Sequence, residues 1–387
     1  MSAWRVPLSD VLVDDELLDA ARETLSSGWW SMGPRVADLE AEFARQTGSP
    51  HALAVSSGTA ALHLALLALD CGPGDEVVLP SLNFVAAANA VTRVGATPVF
   101  CDIVGPDDLN LDPADLAAAM GPRTKAVIVL HYAGFACDLG AVLDMAAEQG
   151  AAIVEDAAHA PGATWGGRPL GTIGAIGCFS FFSNKNLPVG EGGAVVTADD
   201  ELADRLRLLR SHGMTTLTWQ RHQGHASAYD VVTAGFNYRI DELRAALATV
   251  QLGRLRQTND ARREHVRRYR ELLDGVDGVS FPFRGEPALR DSSHHLAVAL
   301  LPLGVSRDDV REAMHAERIQ TSVHYPPIHR FTAYAEEGGR RPLPRTDELS
   351  QRILTLPLFP HMTSADVELV ASVLGSAVKT KRVARSD

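Results

Sequence analysis

What this sequence lacks narrows its function before any motif is read. Its four cysteines, Cys71, Cys101, Cys137 and Cys178, are scattered with no CxxC spacing. That pattern excludes a disulfide framework and a cysteine-based metal site, and it reads as reduced thiols, several at strand ends. No run approaches the roughly 18 apolar residues of a membrane helix, and no apolar stretch follows a basic one at the N-terminus. A soluble, cytoplasmic protein without a signal peptide is therefore expected. Positive charge is in short supply too: 36 Lys and Arg stand against 48 Asp and Glu, a net charge of −12. Nucleic-acid binding needs a concentrated basic face. The only basic clusters, Arg262–Arg270 and Lys379–Arg385, read as a solvated helix face and a frayed terminus. No internal repeat or low-complexity linker is present.

What is present is an enzyme-like composition, with 46% hydrophobic and 22% charged residues. At 387 residues the chain is long for one compact domain, so two lobes are expected. Seven short apolar runs recur at Ala52–Val55, Glu76–Leu79, Pro98–Cys101, Ala126–Leu130, Ala152–Val154, Gly177–Phe182 and Ala194–Thr197. Between them lie helical patterns such as Thr59–Leu69 and Leu139–Glu148. This alternation predicts an α/β fold with a mostly parallel sheet covered on both faces. From Asp241 to about Leu273 the pattern becomes one long helix. The expected division is a large domain over residues 1–250, with an N-terminal helical segment, and a smaller α+β domain over 251–387. Residues Thr215–Tyr229, with His222, Gly224 and His225, read as an exposed excursion that either contacts substrate or lies on the surface.

Ligands of parallel sheets sit beyond the carboxyl ends of the strands, so the residues just after each run carry the argument. Lysine is scarce, and none other than Lys185 lies between Lys125 and Lys379. Lys185 falls in a loop between two apolar runs, among aromatics and glycines, in Phe179-Ser-Phe-Phe-Ser-Asn-Lys-Asn186 followed by Glu191-Gly-Gly193. Desolvation there would lower its pKa and make the amine nucleophilic, as a Schiff base to an aldehyde cofactor requires. A surface-loop lysine beside a buried strand is the alternative. Ser56-Ser-Gly-Thr59 opens a helix and offers either a phosphate site or simple N-capping by Ser57. In Glu155-Asp-Ala-Ala-His159, Asp156 either pairs with a protonated pyridine nitrogen or caps the next helix, and His159 either holds a ring hydroxyl or packs. Phe84 either stacks on a flat ring or belongs to the core. No further ligands gather at metal spacing, so no metal is expected.

Taken together, Ser57-Gly-Thr59, Glu155-Asp-Ala-Ala-His159, Phe179-Ser-Phe with Lys185-Asn186 and Glu191-Gly-Gly193, Gly235-Phe-Asn-Tyr-Arg239 and His324-Tyr-Pro-Pro-Ile-His329 resemble the DegT/DnrJ/EryC1/StrS aminotransferases. The resemblance runs from about Val6 to Leu374, with the motifs in the family's order and spacing. It implies a fold-type I pyridoxal 5'-phosphate enzyme and a role for each matched residue. Lys185 would carry the cofactor as a Schiff base and move the proton. Asp156 would pair with the pyridine nitrogen, His159 would lie by the ring hydroxyl and Phe84 would stack. Ser57, Gly58, Thr59 and Ser180 would hold the phosphate. Asn237 would reach it from the neighbouring subunit, which implies a homodimer with shared sites. Arg239, His324, Tyr325 and His329 would lie on the substrate side. One departure stands out: Asn83 occupies a position where some members carry threonine.

The reaction this resemblance implies is amino transfer from glutamate or glutamine to the ketone of a nucleotide-linked deoxysugar, in amino-sugar, antibiotic or surface-glycan biosynthesis. A keto-cyclitol is the alternative acceptor. A sugar dehydratase of the same family would carry histidine in place of Lys185, and a non-catalytic regulator would not need the intact lysine, aspartate and serine set.

Overall fold

The computed structural model describes residues 4–216, 219, 228–276 and 278–383. Each of the seven apolar runs forms a strand, and together they make one sheet. From one edge the order is His51–Val55, Gly193–Thr197, Ile176–Ser180, Ala152–Asp156, Thr124–Leu130, Glu76–Pro80 and Thr97–Cys101. All neighbouring pairs are parallel except those made by Gly193–Thr197, which runs antiparallel to both of its neighbours. At the carboxyl ends, two strands depart from expectation by two residues. The central strand continues through Asp156, and the strand before the lysine loop stops at Ser180. Both shifts place the end of the strand on a residue expected to hold the cofactor.

Helices cover both faces, as the near-continuous apolar strands require. One face packs against helix Pro34–Thr47 and the long helix, and the other against helices Gly58–Ala68 and Ala86–Arg93. Helix Gly58–Ala68 is apolar almost all round and is buried almost all round. All four cysteines are buried free thiols.

The long helix runs from Glu242 to Leu273, capped at Asp241, whose side chain accepts the Arg244 N–H. Its second half packs Val266, Tyr269 and Leu273 into a separate core. That core also holds the antiparallel pair Ala297–Leu300 and Ile353–Leu356, with helices Arg307–Ala316 and Ser364–Val383. Val6 bridges to Ile319 and joins the same core. We propose that the division expected near residue 250 falls within this shared helix, with the first residues of the chain belonging to the C-terminal unit.

The basic run on this helix is only partly the solvated face expected. Arg263, Arg267 and Arg268 pair with Asp260, Glu264, Glu271 and Glu368 on the outside. Arg262 instead falls in register with Val266, Tyr269 and Leu273 and is 3% exposed. Helical periodicity turns successive residues by about 100°, so adjacent arginines lie on different faces.

One carboxylate ties the central strand to its neighbour. Glu155 is completely buried and accepts the backbone N–H groups of Gly171, Ile173 and Gly174 at 2.7, 2.6 and 2.6 Å. His131 Nε2 lies 2.9 Å from it. Burial alone would raise its pKa, but the histidine and the N–H donors outweigh burial and hold it below the usual value. Because side chains alternate along a strand, this anchoring of Glu155 fixes Asp156 on the opposite face. Glu155→Ala is expected to cost ~3–5 kcal/mol in urea unfolding, since it strands a buried histidine and three N–H groups. A depressed folded-state pKa stabilises above the unfolded value of 4.5 and stops doing so as pH falls through the folded one. The gap between wild type and variant should therefore narrow in acid. An unchanged midpoint at neutral pH would contradict this role.

Candidate active site

A cavity of about 320 Å³ opens at the carboxyl ends of these strands, and nearly every cofactor residue expected from the sequence lines it. Ser57 caps helix Gly58–Ala68 by accepting the Ala60 N–H at 3.1 Å. That helix points its N-terminal turn, with Gly58 and Thr59, into the cavity. Free N–H groups and the positive end of the helix dipole suit a phosphate. Gly58 is required by close packing, because a Cβ there would stand 2.8 Å from Cβ of Ser180. The two strand ends thus meet, and Ser180 faces the same space.

Asp156 is 5% exposed and its carboxylate accepts only the Ala158 N–H, at 3.2 Å. Among the described residues no cation pairs with it. Burial raises its pKa, against the attraction of Lys185, the Ala158 N–H and the nearby Asn83 amide. Asn83 donates nothing of good geometry there: its Nδ2 is buried without an acceptor, while its Oδ1 accepts the Phe84 N–H at 2.6 Å. A buried acid with no cation, beside an orphaned amide, is suited to a ligand that brings a positively charged N–H.

Lys185 lies in the loop after Ser180, its N–H held by the Phe182 carbonyl at 2.8 Å. Burial lowers its pKa to about 8, with Asp156 pulling the other way. The two charges attract without forming an ion pair, which leaves room between them. Asn186, the next residue, is the anchor of this loop. Its Nδ2 donates to Asn259 Oδ1 on the long helix and to the Ser293 carbonyl, both at 2.8 Å, and its Oδ1 faces His295 Nδ1 at 2.9 Å.

His159 is fully enclosed. Its Nε2 lies 2.7 Å from the Tyr325 hydroxyl, and its Nδ1 accepts the Ala133 N–H at 3.3 Å. Burial, with Lys185 and His324 nearby, keeps it neutral by pushing its pKa well down. Tyr325 and His324 line the cavity. Phe84 stands at the mouth, 55% exposed, with its ring 5.9 Å from that of Tyr325, so it is not a core residue.

Three expected residues do not reach this cavity. His329 is held elsewhere, with Nδ1 2.6 Å from the Ser81 hydroxyl and Nε2 3.0 Å from Asp347. Both ring nitrogens are engaged there, away from this cavity. Asn237 is exposed and bridges to Ser211, while Arg239 bridges to Val55. Neither lines the pocket of its own chain. His222, Gly224 and His225 lie outside the described residues. Sequence reasoning missed Phe182, Asn184 and the Glu191 side chain as lining residues, although all three sit in the quoted lysine segment. It also missed His295, for which no local motif gave a signal. Among the described residues no cluster of metal-ligating side chains occurs.

The lowered pKa of Lys185 gives a direct test. Only the neutral amine attacks an aldehyde, so the rate at which cofactor-free protein captures pyridoxal phosphate should rise with pH and level off above about 8. Asp156→Asn should move that midpoint lower, because Asp156 raises the lysine's pKa. A midpoint near the ordinary 10.5 would show that Lys185 is not desolvated.

Comparison with known proteins gives the family. The model of the DegT/DnrJ/EryC1/StrS aminotransferase family matches residues 12–375. The chain is 40% identical over 384 residues to the spore coat polysaccharide biosynthesis protein SpsC of Bacillus subtilis, covering 97% of each. It superposes on the aminotransferase TlmJ from Streptoalloteichus hindustanus with a TM-score of 0.89 at 36% identity, covering 97% of this chain and 99% of that one. DesV of S. venezuelae, solved in complex with a ketimine intermediate, gives 0.88 at 36% identity with the same coverage. The protein belongs to the DegT/DnrJ/EryC1/StrS family and is a pyridoxal-phosphate-dependent aminotransferase.

Proposed function

We propose that the enzyme moves an amino group from glutamate or glutamine to the ketone of a nucleotide-linked deoxysugar, as a cytoplasmic homodimer with shared active sites. The observation that carries this reading is a desolvated Lys185 facing an unpaired, buried Asp156 across a ligand-sized cavity. The cofactor, when bound, supplies an aldehyde that captures amino groups and a ring that accepts electrons. Asp156 would keep the ring nitrogen protonated. The N-terminal turn at Ser57, Gly58 and Thr59, with Ser180, would hold the phosphate, and Phe84 would cover one ring face. His159, kept neutral and fixed by Tyr325, would hold the ring hydroxyl. Lys185 would take the proton from Cα of the donor and deliver it to the carbon on the far side of the donor nitrogen, a 1,3-shift, then reverse the sequence on the acceptor. That lysine favours amino transfer over dehydration.

Two observations support a shared site. Asn237 is exposed outside its own chain's pocket, and Arg239 keeps a buried Nη1 without an acceptor. A sugar substrate is supported by SpsC, whose name places it in polysaccharide biosynthesis. The test is a screen of nucleotide-linked ketosugars and inososes against glutamate and glutamine. Amine product should form from a nucleotide-linked ketosugar, and Lys185→Ala should lower its rate by roughly the 10²–10⁴ typical of a lost acid–base group, or more. Turnover only with inososes would shift the reading to a cyclitol aminotransferase. Turnover by Lys185→Ala at the wild-type rate would overturn it.

A further inference from the structure

Two polar groups that line the Lys185 cavity have no use in holding the cofactor. Asn184, next to the lysine, is half-buried, and its Oδ1 is buried with no hydrogen-bond partner. Glu191 is exposed at the same cavity, and its carboxylate has no hydrogen bond or ion pair among the described residues. The backbone straps their two segments together. Phe181 N–H donates to the Gly192 carbonyl and Val189 N–H to the Phe181 carbonyl, both at 2.9 Å. The Ser183 hydroxyl donates to the Gly190 carbonyl at 3.4 Å. Phe182, on the same turn, lines the cavity with 44% of its surface exposed. An amide end buried without a partner is costly until a ligand meets it. A hydroxyl, both donor and acceptor, suits that amide in either orientation and can also donate to a carboxylate.

We propose that Asn184 and Glu191 form the sugar-reading edge of the single site, each accepting a ring hydroxyl of the ketosugar while Phe182 covers an apolar face of the ring. The inference rests on the ketosugar reading and names the residues that tell the acceptor from the donor at the position both use. A sugar brings several hydroxyls on a ring whose C–H faces suit an aromatic wall. Glutamate and glutamine bring no hydroxyl, their amino nitrogen is taken up by the cofactor, and their carboxylates are repelled by Glu191. The two acceptors therefore favour one substrate without providing a hold for the other.

The two half-reactions of the holoenzyme separate this claim from the general one. Fading of the yellow visible band on adding glutamate or glutamine reports the donor, and its return on adding a nucleotide-linked ketosugar to the aminated enzyme reports the acceptor. Asn184→Ala should raise the ketosugar concentration for half-maximal return roughly fivefold, as for one neutral hydrogen bond. Glu191→Ala should raise it at least about tenfold, as for a bond to a charged group, and Glu191→Gln should recover part of that. The donor concentration for half-maximal fading should not rise in any of them. Ketosugars lacking one ring hydroxyl at a time should include one that binds wild type more weakly but binds Glu191→Ala no worse than the parent sugar does. Asn184→Ala should also keep the pH midpoint of cofactor capture near 8, showing that Lys185 has not moved. If that midpoint shifts, the Glu191 variants decide. Calorimetric titration of the holoenzyme with uridine diphosphate glucose and with uridine diphosphate, neither of which carries a ketone, reads the sugar's share without turnover. The advantage of the sugar should fall at least about fivefold in Asn184→Ala and in Glu191→Ala. Unchanged acceptor dependence in both variants, an equal loss in both half-reactions, or a sugar advantage that the variants keep would overturn the proposal. If amino acids fade the band and no ketosugar restores it, the ketosugar reading fails instead, and the calorimetry still decides whether these residues hold sugar hydroxyls.

Discussion

The whole site depends on two opposite charges buried in one cavity and kept from touching. If Lys185 and Asp156 closed into an ion pair, the lysine would stay protonated and the aspartate would have no use for a ligand cation. Held apart, each is under strain from burial: the amine drifts toward its neutral form and the carboxylate toward its protonated form. A cationic ring nitrogen would relieve the acid, and an aldehyde would capture the amine. The cost of burying these two groups is thus what suits them to the cofactor.

Holding two groups apart requires rigid supports on both. Asp156 ends a central strand whose preceding residue, Glu155, is bound by three backbone N–H groups and a histidine. Lys185 is followed by Asn186, bound to Asn259 on the long helix and to the segment that enters the C-terminal core. The lysine's position is therefore set jointly by the sheet and by the helix shared between the two cores. Neither support touches the cofactor cavity, and both are polar groups fully satisfied in the interior, where they specify geometry best.

Much of this was legible in the sequence, for physical reasons. Strands buried on both faces must be apolar throughout, so all seven announced themselves as short runs. Ligand residues follow strand ends, so Ser57, Asp156 and Lys185 could be singled out from those runs, while Ser180 came only from the family resemblance. The failures have a common cause. Arg262 looked like part of a solvated basic face because composition ignores helical phase, yet three-and-four spacing placed it with Val266 and Tyr269. His329 shares a motif with His324, but the chain turns between them, so Ser81 and Asp347 claim it. His295 reaches Asn186 across more than a hundred residues, and no local pattern encodes that contact. Asn237, expected at the neighbouring subunit's site, is not one of these failures: it lies outside its own chain's pocket, as does Arg239.

The central claim is that Lys185, rather than any other amine, carries the cofactor. Borohydride reduction of the holoenzyme, followed by peptide mass mapping, tests it directly because reduction makes the lysine–cofactor bond permanent. The account predicts the added cofactor mass on the peptide containing Lys185 and on no other. Labelling of Lys125 or Lys379 in its place, or no labelling of a yellow holoenzyme, would contradict it.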